Sequence, residues 1–331
     1  MLSFLRLAVG SQPKVSSALA GLVRPGRSRD DERTSWEYSP SVARRVAVVR
    51  SSAVVIELPD GATVAARVEG EGPPALLCHG GPGLWDYLDG LAALLRPSFT
   101  THRWDQRGCG GSSPEPAYGL DVAVADVQAL HAAWGVDEPW AVIGHSWGAY
   151  LALLTAIHHP STTRAVVYVS GTGTQAWWRA GGRAENMATR AERMGPERLA
   201  RLEAYEAMTA RTPEEERDFR ALSWVTDLAL PDETHPALVE MASSPHAIRF
   251  DINRSLIPTV EEEATLLAGL ESCDVPFLVV HGSEDPRPAE GARLLADALP
   301  NATFHLIDGA GHLPWIERPD ELRTLIVELL S

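Results

Sequence analysis

The stretch AVIGHSWGAYLALLTA, residues 141 to 156, changes character at its centre. Ala141, Val142 and Ile143 read as the end of a buried strand, Ser146 sits between Gly144 and Gly148, and a helix-forming run follows. Strand, Gly-x-Ser-x-Gly and helix in that order form a nucleophile elbow. In so tight a turn the serine takes strained backbone angles, and side chains two residues to either side would strike the strand and the helix. Both positions are therefore glycine. The turn lifts the hydroxyl off the sheet and leaves the Trp147 N–H at the start of a helix, aimed at developing negative charge.

A serine hydroxyl is a poor nucleophile at neutral pH and needs an imidazole base, itself held in one tautomer by a carboxylate. Downstream, the buried strand Phe277 to His281 runs into GSEDPRP, which places Glu284 and Asp285 in a loop at a strand end. After a strand at Thr303 to Ile307 comes DGAGHLPWIERP, which places His312 in a glycine-rich loop before the last helix. Both loops leave the same sheet edge as Ser146, where open α/β sheets bind ligands.

The rest of the chain supports that sheet. AVVIELPDGATVAARVEG gives two β-rich runs around Pro59-Asp60-Gly61, a hairpin by pattern. PALLCHGGPG and FTTHRWDQRGCGGS are strands that end in glycine-rich loops, and Val124, Val127, Leu130 and Trp134 recur at helical spacing. Further strands are expected at 140–143 and 165–170, and a helix at 290–299. Alternating β and α implies a mostly parallel sheet covered on both faces by helices.

Between Gln175 and Glu263 the sequence becomes Arg/Glu-studded and helical, with Trp177, Trp178, Tyr205, Phe219 and Trp224, so an inserted helical cap is expected at 175–263. The α/β core then comprises 49–174 and 264–331. Residues 1–48 are rich in Ser, Arg, Pro and charge and read as a flexible extension. Their start resembles a signal peptide, but Arg6 and Lys14 interrupt a short apolar core, so a cytoplasmic location is expected.

A net charge of −15 over 331 residues argues against a nucleic-acid partner. No apolar run reaches the ~18 residues of a membrane-spanning helix. Three scattered cysteines, Cys78, Cys109 and Cys273, make neither a disulfide framework nor a metal-ligand spacing.

Four motifs together, HGGPG (79–83), WDQRGCGGS (104–112), GHSWG (144–148) and GAGHLPW (309–315), resemble α/β-hydrolases of the proline iminopeptidase family. The resemblance runs from about residue 53 to the end, strong in the core and weak in the cap. It implies a triad of Ser146, Asp285 and His312, with Asp285 preferred to Glu284. It implies an oxyanion hole of the Gly81 and Trp147 N–H groups, a supporting role for His79, and a bracing loop around Asp105 and Arg107. It further implies release of N-terminal proline from small peptides or arylamides, without cofactor or metal. Such enzymes hold the substrate ammonium with cap glutamates; this chain offers instead Trp224 and Asp227 in SWVTD and Asp251 in RFDINRS. Those aspartates either bind the ammonium or are ordinary helix-surface acids. The rival reading is an esterase, lactonase or amidase for a small metabolite, with the same triad. A ligand receptor on a hydrolase scaffold is a third. A small-molecule or short-peptide partner suits both enzymatic readings.

Overall fold

In the computed structural model, which describes residues 54–113, 118–258 and 260–331, the hairpin at Pro59 forms as the pattern predicts. Strands β1 (Val54–Glu57) and β2 (Thr63–Glu69) pair antiparallel, with Glu57 opposite Thr63. The expected extension at 1–48 lies outside the described residues.

The eight strands among the described residues form one sheet in the order β1-β2-β4-β3-β5-β6-β7-β8. Strands β3 (Pro74–Cys78), β4 (Thr100–Trp104), β5 (Trp140–His145), β6 (Thr163–Val169), β7 (Phe277–Gly282) and β8 (Ala302–Ile307) run parallel, and β2 joins β4 antiparallel. Strands β3, β5 and β7 are buried at every position, because a parallel sheet is covered on both faces. Successive side chains then feed opposite cores. Leu76, Val142, Val166 and Val279 pack with helices α2 (Leu120–Ala133), α3 (Trp147–His158) and α10 (Glu290–Ala298). Leu77, Ile143, Val167 and Val280 pack with α1 (Asp89–Leu95) and α12 (Pro319–Leu330).

The chain leaves β3 toward β4 on one side and β5 toward β6 on the other. Loops after β3 and β5 therefore part in opposite directions and open a crevice at the carboxyl edge of the sheet.

Between β6 and β7 lie α4 (Gln175–Trp177), α5 (Arg183–Ala207), α6 (Pro213–Trp224), α7 (Pro236–Ala242), α8 (Phe250–Ser255) and α9 (Val260–Leu270), with no strand among the described residues. Helix α5 breaks at Gly195, whose φ of 69° precedes Pro196. Helix α6 starts sharply because Thr212 and Glu215 cap each other's backbone N–H and Pro213 fills the first turn. Phe219, Leu222, Trp224 and Leu238 of this insertion join the apolar cluster that α1 and α12 complete. The boundary expected between 263 and 264 falls inside α9. That helix packs on α3, and its Glu263 accepts from Tyr150 and from the Gln175 N–H.

Candidate active site

The elbow has the geometry its glycines require. A Cβ on Gly144 would lie 2.1 Å from the Gly148 carbonyl oxygen, and one on Gly148 would lie 2.1 Å from that of Cys78. Ser146 sits at φ 57°, ψ −118°, a conformation that costs a non-glycine residue about 1–3 kcal/mol and persists only where its surroundings enforce it. Here the Ser146 N–H is pinned to the Val169 carbonyl at 2.9 Å. Ser146 precedes α3 but makes no side-chain cap, so the helix does not consume its hydroxyl.

Two loops from the same edge meet this serine. His312 Nδ1–H donates to Asp285 Oδ2 at 2.6 Å, both groups buried, which leaves Nε2 as the basic nitrogen of the neutral ring. Burial, and then the Arg287 guanidinium, push the His312 pKa down against the pull of Asp285. Burial alone would raise the Asp285 carboxyl, but His312, His281 and Arg287 hold it well below the usual carboxylate range. Glu284, by contrast, turns outward and pairs with Arg193 at 3.0 Å. Ser146 and His312 line one cavity. No hydrogen bond joins the Ser146 hydroxyl to the ring among the described residues, and such contacts commonly tighten only with substrate in place.

Of the oxyanion donors of the sequence reading, Gly81 lines the same cavity and Trp147 directly follows Ser146 in the chain. Gly81 turns with φ 52°, and Trp147 opens α3; neither N–H donates a hydrogen bond among the described residues. A relay not foreseen in the sequence ties their loops together. The Gly80 N–H donates to Tyr87 Oη (3.0 Å), the Tyr87 hydroxyl donates to His145 Nδ1 (2.7 Å), and His145 Nε2–H donates to the His312 carbonyl (2.8 Å). Burial, and then neighbouring His312, depress the His145 pKa far enough to keep this ring neutral and the relay directional. Replacing Tyr87 by phenylalanine keeps the ring but frees the Gly80 amide. The expected result is a drop of about 10-fold in kcat/KM with a stability loss of about 1 kcal/mol, read by kinetics and thermal melting.

His79 braces the same loop, donating through Nδ1 to the Gly80 carbonyl and accepting the Gln106 N–H on Nε2 at 3.1 Å. Asp105 accepts the Asp86 and Gly111 N–H groups, and Arg107 clasps Asp126 and Asp60. Buried Cys109, whose thiol burial pushes up to about 12, packs beneath this loop as an inert small hydrophobe.

The cavity of about 370 Å³ lies between the sheet edge and the insertion. Trp224 lines it and meets Trp85 edge-on at 6.1 Å. Of the two aspartates offered as ammonium ligands, Asp227 lines the cavity and Asp251 does not. Asp251 is exposed, pairs with Arg249 at 2.8 Å, and does not line the cavity, since on α8 its neighbours Phe250 and Asn253 face that way. Asp227 lines the cavity but is no surface acid. It is buried, and its Oδ1 already accepts Arg190 Nη1 (2.6 Å) and Arg287 Nη1 (2.9 Å). Burial would raise its carboxyl; Arg287 and Arg190 hold it well below the usual range. Arg190 lies in no motif, and Arg287, in the GSEDPRP loop, has no local signal that marks its role.

The sheet order, the elbow and the facing His–Asp pair define an α/β-hydrolase. Residues 73–319 match the family model described as alpha/beta hydrolase fold, and the chain belongs to that family. It is 27% identical over 284 residues to a proline iminopeptidase of Heyndrickxia coagulans, covering 79% of this chain and 92% of that protein. It is 26% identical over 274 residues to a pimeloyl-[acyl-carrier protein] methyl ester esterase of Chromobacterium violaceum, covering 79% and 96%. Among solved structures, the proline iminopeptidase of Mycobacterium smegmatis superposes with a TM-score of 0.63 at 21% identity, covering 84% and 97%, a likeness of fold. No described helix is long and apolar enough to cross a membrane.

Proposed function

We propose that the protein is a serine hydrolase that cleaves small carboxylic esters or amides through an acyl-enzyme. One observation carries this reading: a strained, uncapped serine shares a cavity with an Asp-oriented imidazole and with Gly81, whose N–H, like that of Trp147 next to the serine, donates no hydrogen bond among the described residues. Ser146 attacks the acyl carbon while His312 Nε2 takes its proton. The Gly81 and Trp147 amides hold the oxyanion, an interaction worth about 3 kcal/mol per donor. His312 returns the proton to the leaving group, then activates the water that frees the acid and restores Ser146.

The charge pattern of the cavity supports an acyl group without an ammonium. Asp227, whose backbone carbonyl accepts the His312 N–H, is occupied by two guanidinium groups, and Leu84, Met187, Met194 and Met241 add apolar wall. An N-terminal prolyl substrate is the second reading, favoured by the likeness to proline iminopeptidases and by Glu206, a carboxylate on the cavity wall.

Proline p-nitroanilide and cyclopentanecarboxylic p-nitroanilide present the same scissile bond with and without the amine. The cyclopentane substrate, like p-nitrophenyl butyrate, is expected to turn over at least as well. A preference of about 10-fold or more for proline, the worth of one charge-assisted hydrogen bond, would move the assignment to the aminopeptidase.

A further inference from the structure

Five ionisable groups form a continuous chain that begins at the base and ends in the insertion. His312 Nδ1 meets Asp285 Oδ2 (2.6 Å), and Asp285 Oδ1 accepts the Arg287 N–H (2.9 Å) and Nη1 (3.3 Å). Arg287 Nη1 also meets Asp227 Oδ1, which Arg190 Nη1 shares. Asp227 grips His312 a second time through its backbone, whose carbonyl accepts the His312 N–H at 2.7 Å. Asp227 and Arg190 belong to the helical insertion, on the turn Val225–Asp227 and on α5, whereas His312, Asp285 and Arg287 belong to the core.

We propose that Asp227 is a positioning residue for His312, acting with Arg287, so that the insertion both seats the base and balances the charge around it. This inference rests on the serine-hydrolase reading above. Asp285 cannot be buried beside a guanidinium without that cation biasing the imidazole, and Asp227 offsets the bias. The other groups facing His312 are the His145 ring, 4.5 Å away between centroids, with Tyr87 behind it, and His281, whose Nε2 lies 3.5 Å from Asp285 Oδ2. Glu317 holds the Gly311 and Ala229 N–H groups on the same loops. Of these, Arg287 and Asp227 are the pair with opposite signs.

The sign follows. A cation disfavours imidazolium, so removing Arg287 raises the His312 pKa, and removing the Asp227 charge lowers it. The readout is the second-order rate of Ser146 phosphonylation by a fluorophosphonate, measured against pH on the full chain, which requires neutral His312 and no known substrate. The acid limb is expected to move up by about half a pH unit or more in Arg287→Gln and down by as much in Asp227→Asn. Limbs that stay together, or move the same way, overturn the proposal, since a purely structural pair would change only the melting temperature. If these variants fail to fold, Arg287→Lys is expected to keep the wild-type limb, and a displaced limb there is equally fatal. Absence of any adduct on Ser146 in the wild type would sink the serine-hydrolase reading, and with it this inference; an adduct with unmoved limbs sinks this inference alone.

Discussion

Replacing Ser146 by alanine is expected to lower turnover by about 10³-fold or more and to leave the fold intact. The Oγ makes no cap and no structural hydrogen bond among the described residues, so the fold loses nothing when it goes. What is lost is the bond to the acyl carbon, for which no neighbouring group substitutes. Steady-state hydrolysis of p-nitrophenyl butyrate, with a thermal melt alongside, checks both halves. A variant with near wild-type rates would mean that chemistry runs elsewhere; a variant that melts far earlier would mean that the serine is structural.

Gly148→Ala is expected to show the reverse pattern, loss of the fold before loss of any chemical group. Its new Cβ would lie 2.1 Å from the Cys78 carbonyl oxygen and 2.6 Å from that of His79, so α3 and the end of β3 must move apart. Both obstacles are backbone, which cannot rotate away as a side-chain tip can. Overpacking of this kind costs about 3 kcal/mol, a fall on the order of 10 °C in Tm, and poor recovery of soluble protein. Because β3 leads into the Gly80–Gly81 loop, any folded fraction should also lose oxyanion stabilisation. A Gly148→Ala protein with unchanged Tm and rate would refute the close approach on which the elbow depends.

The parts of this molecule that were legible in sequence are those where local sterics leave one solution. Gly144 and Gly148 announce the elbow because a Cβ at either position has nowhere to go, and the largely apolar runs of β3, β5 and β7 announce a sheet covered on both sides. Asp285 and His312 followed from their places at strand ends, with the family resemblance deciding between Asp285 and Glu284. Asp227 was legible as a cap acid, but its pairing was not. Its partners lie 37 residues upstream in Arg190 and 60 residues downstream in Arg287, and no local pattern links them. Its character as a buried, doubly paired carboxylate is decided by how the insertion sits on the core. Tyr87 was hidden for the same reason: its hydroxyl matters only because the β3 and β5 loops close around it. Asp251 illustrates the converse, since its pairing with Arg249 two residues away makes it a solvated surface acid, one of the two alternatives its sequence left open.

The central claim is a convergence in space, and a crystal structure of the fluorophosphonate adduct tests it most directly. The expected density is a single covalent bond to Ser146 Oγ, with the phosphoryl oxygen about 2.7–3.1 Å from both the Gly81 and Trp147 nitrogens and His312 Nε2 turned to the serine oxygen. An adduct on another residue, or a phosphoryl oxygen directed away from those two amides, would contradict it.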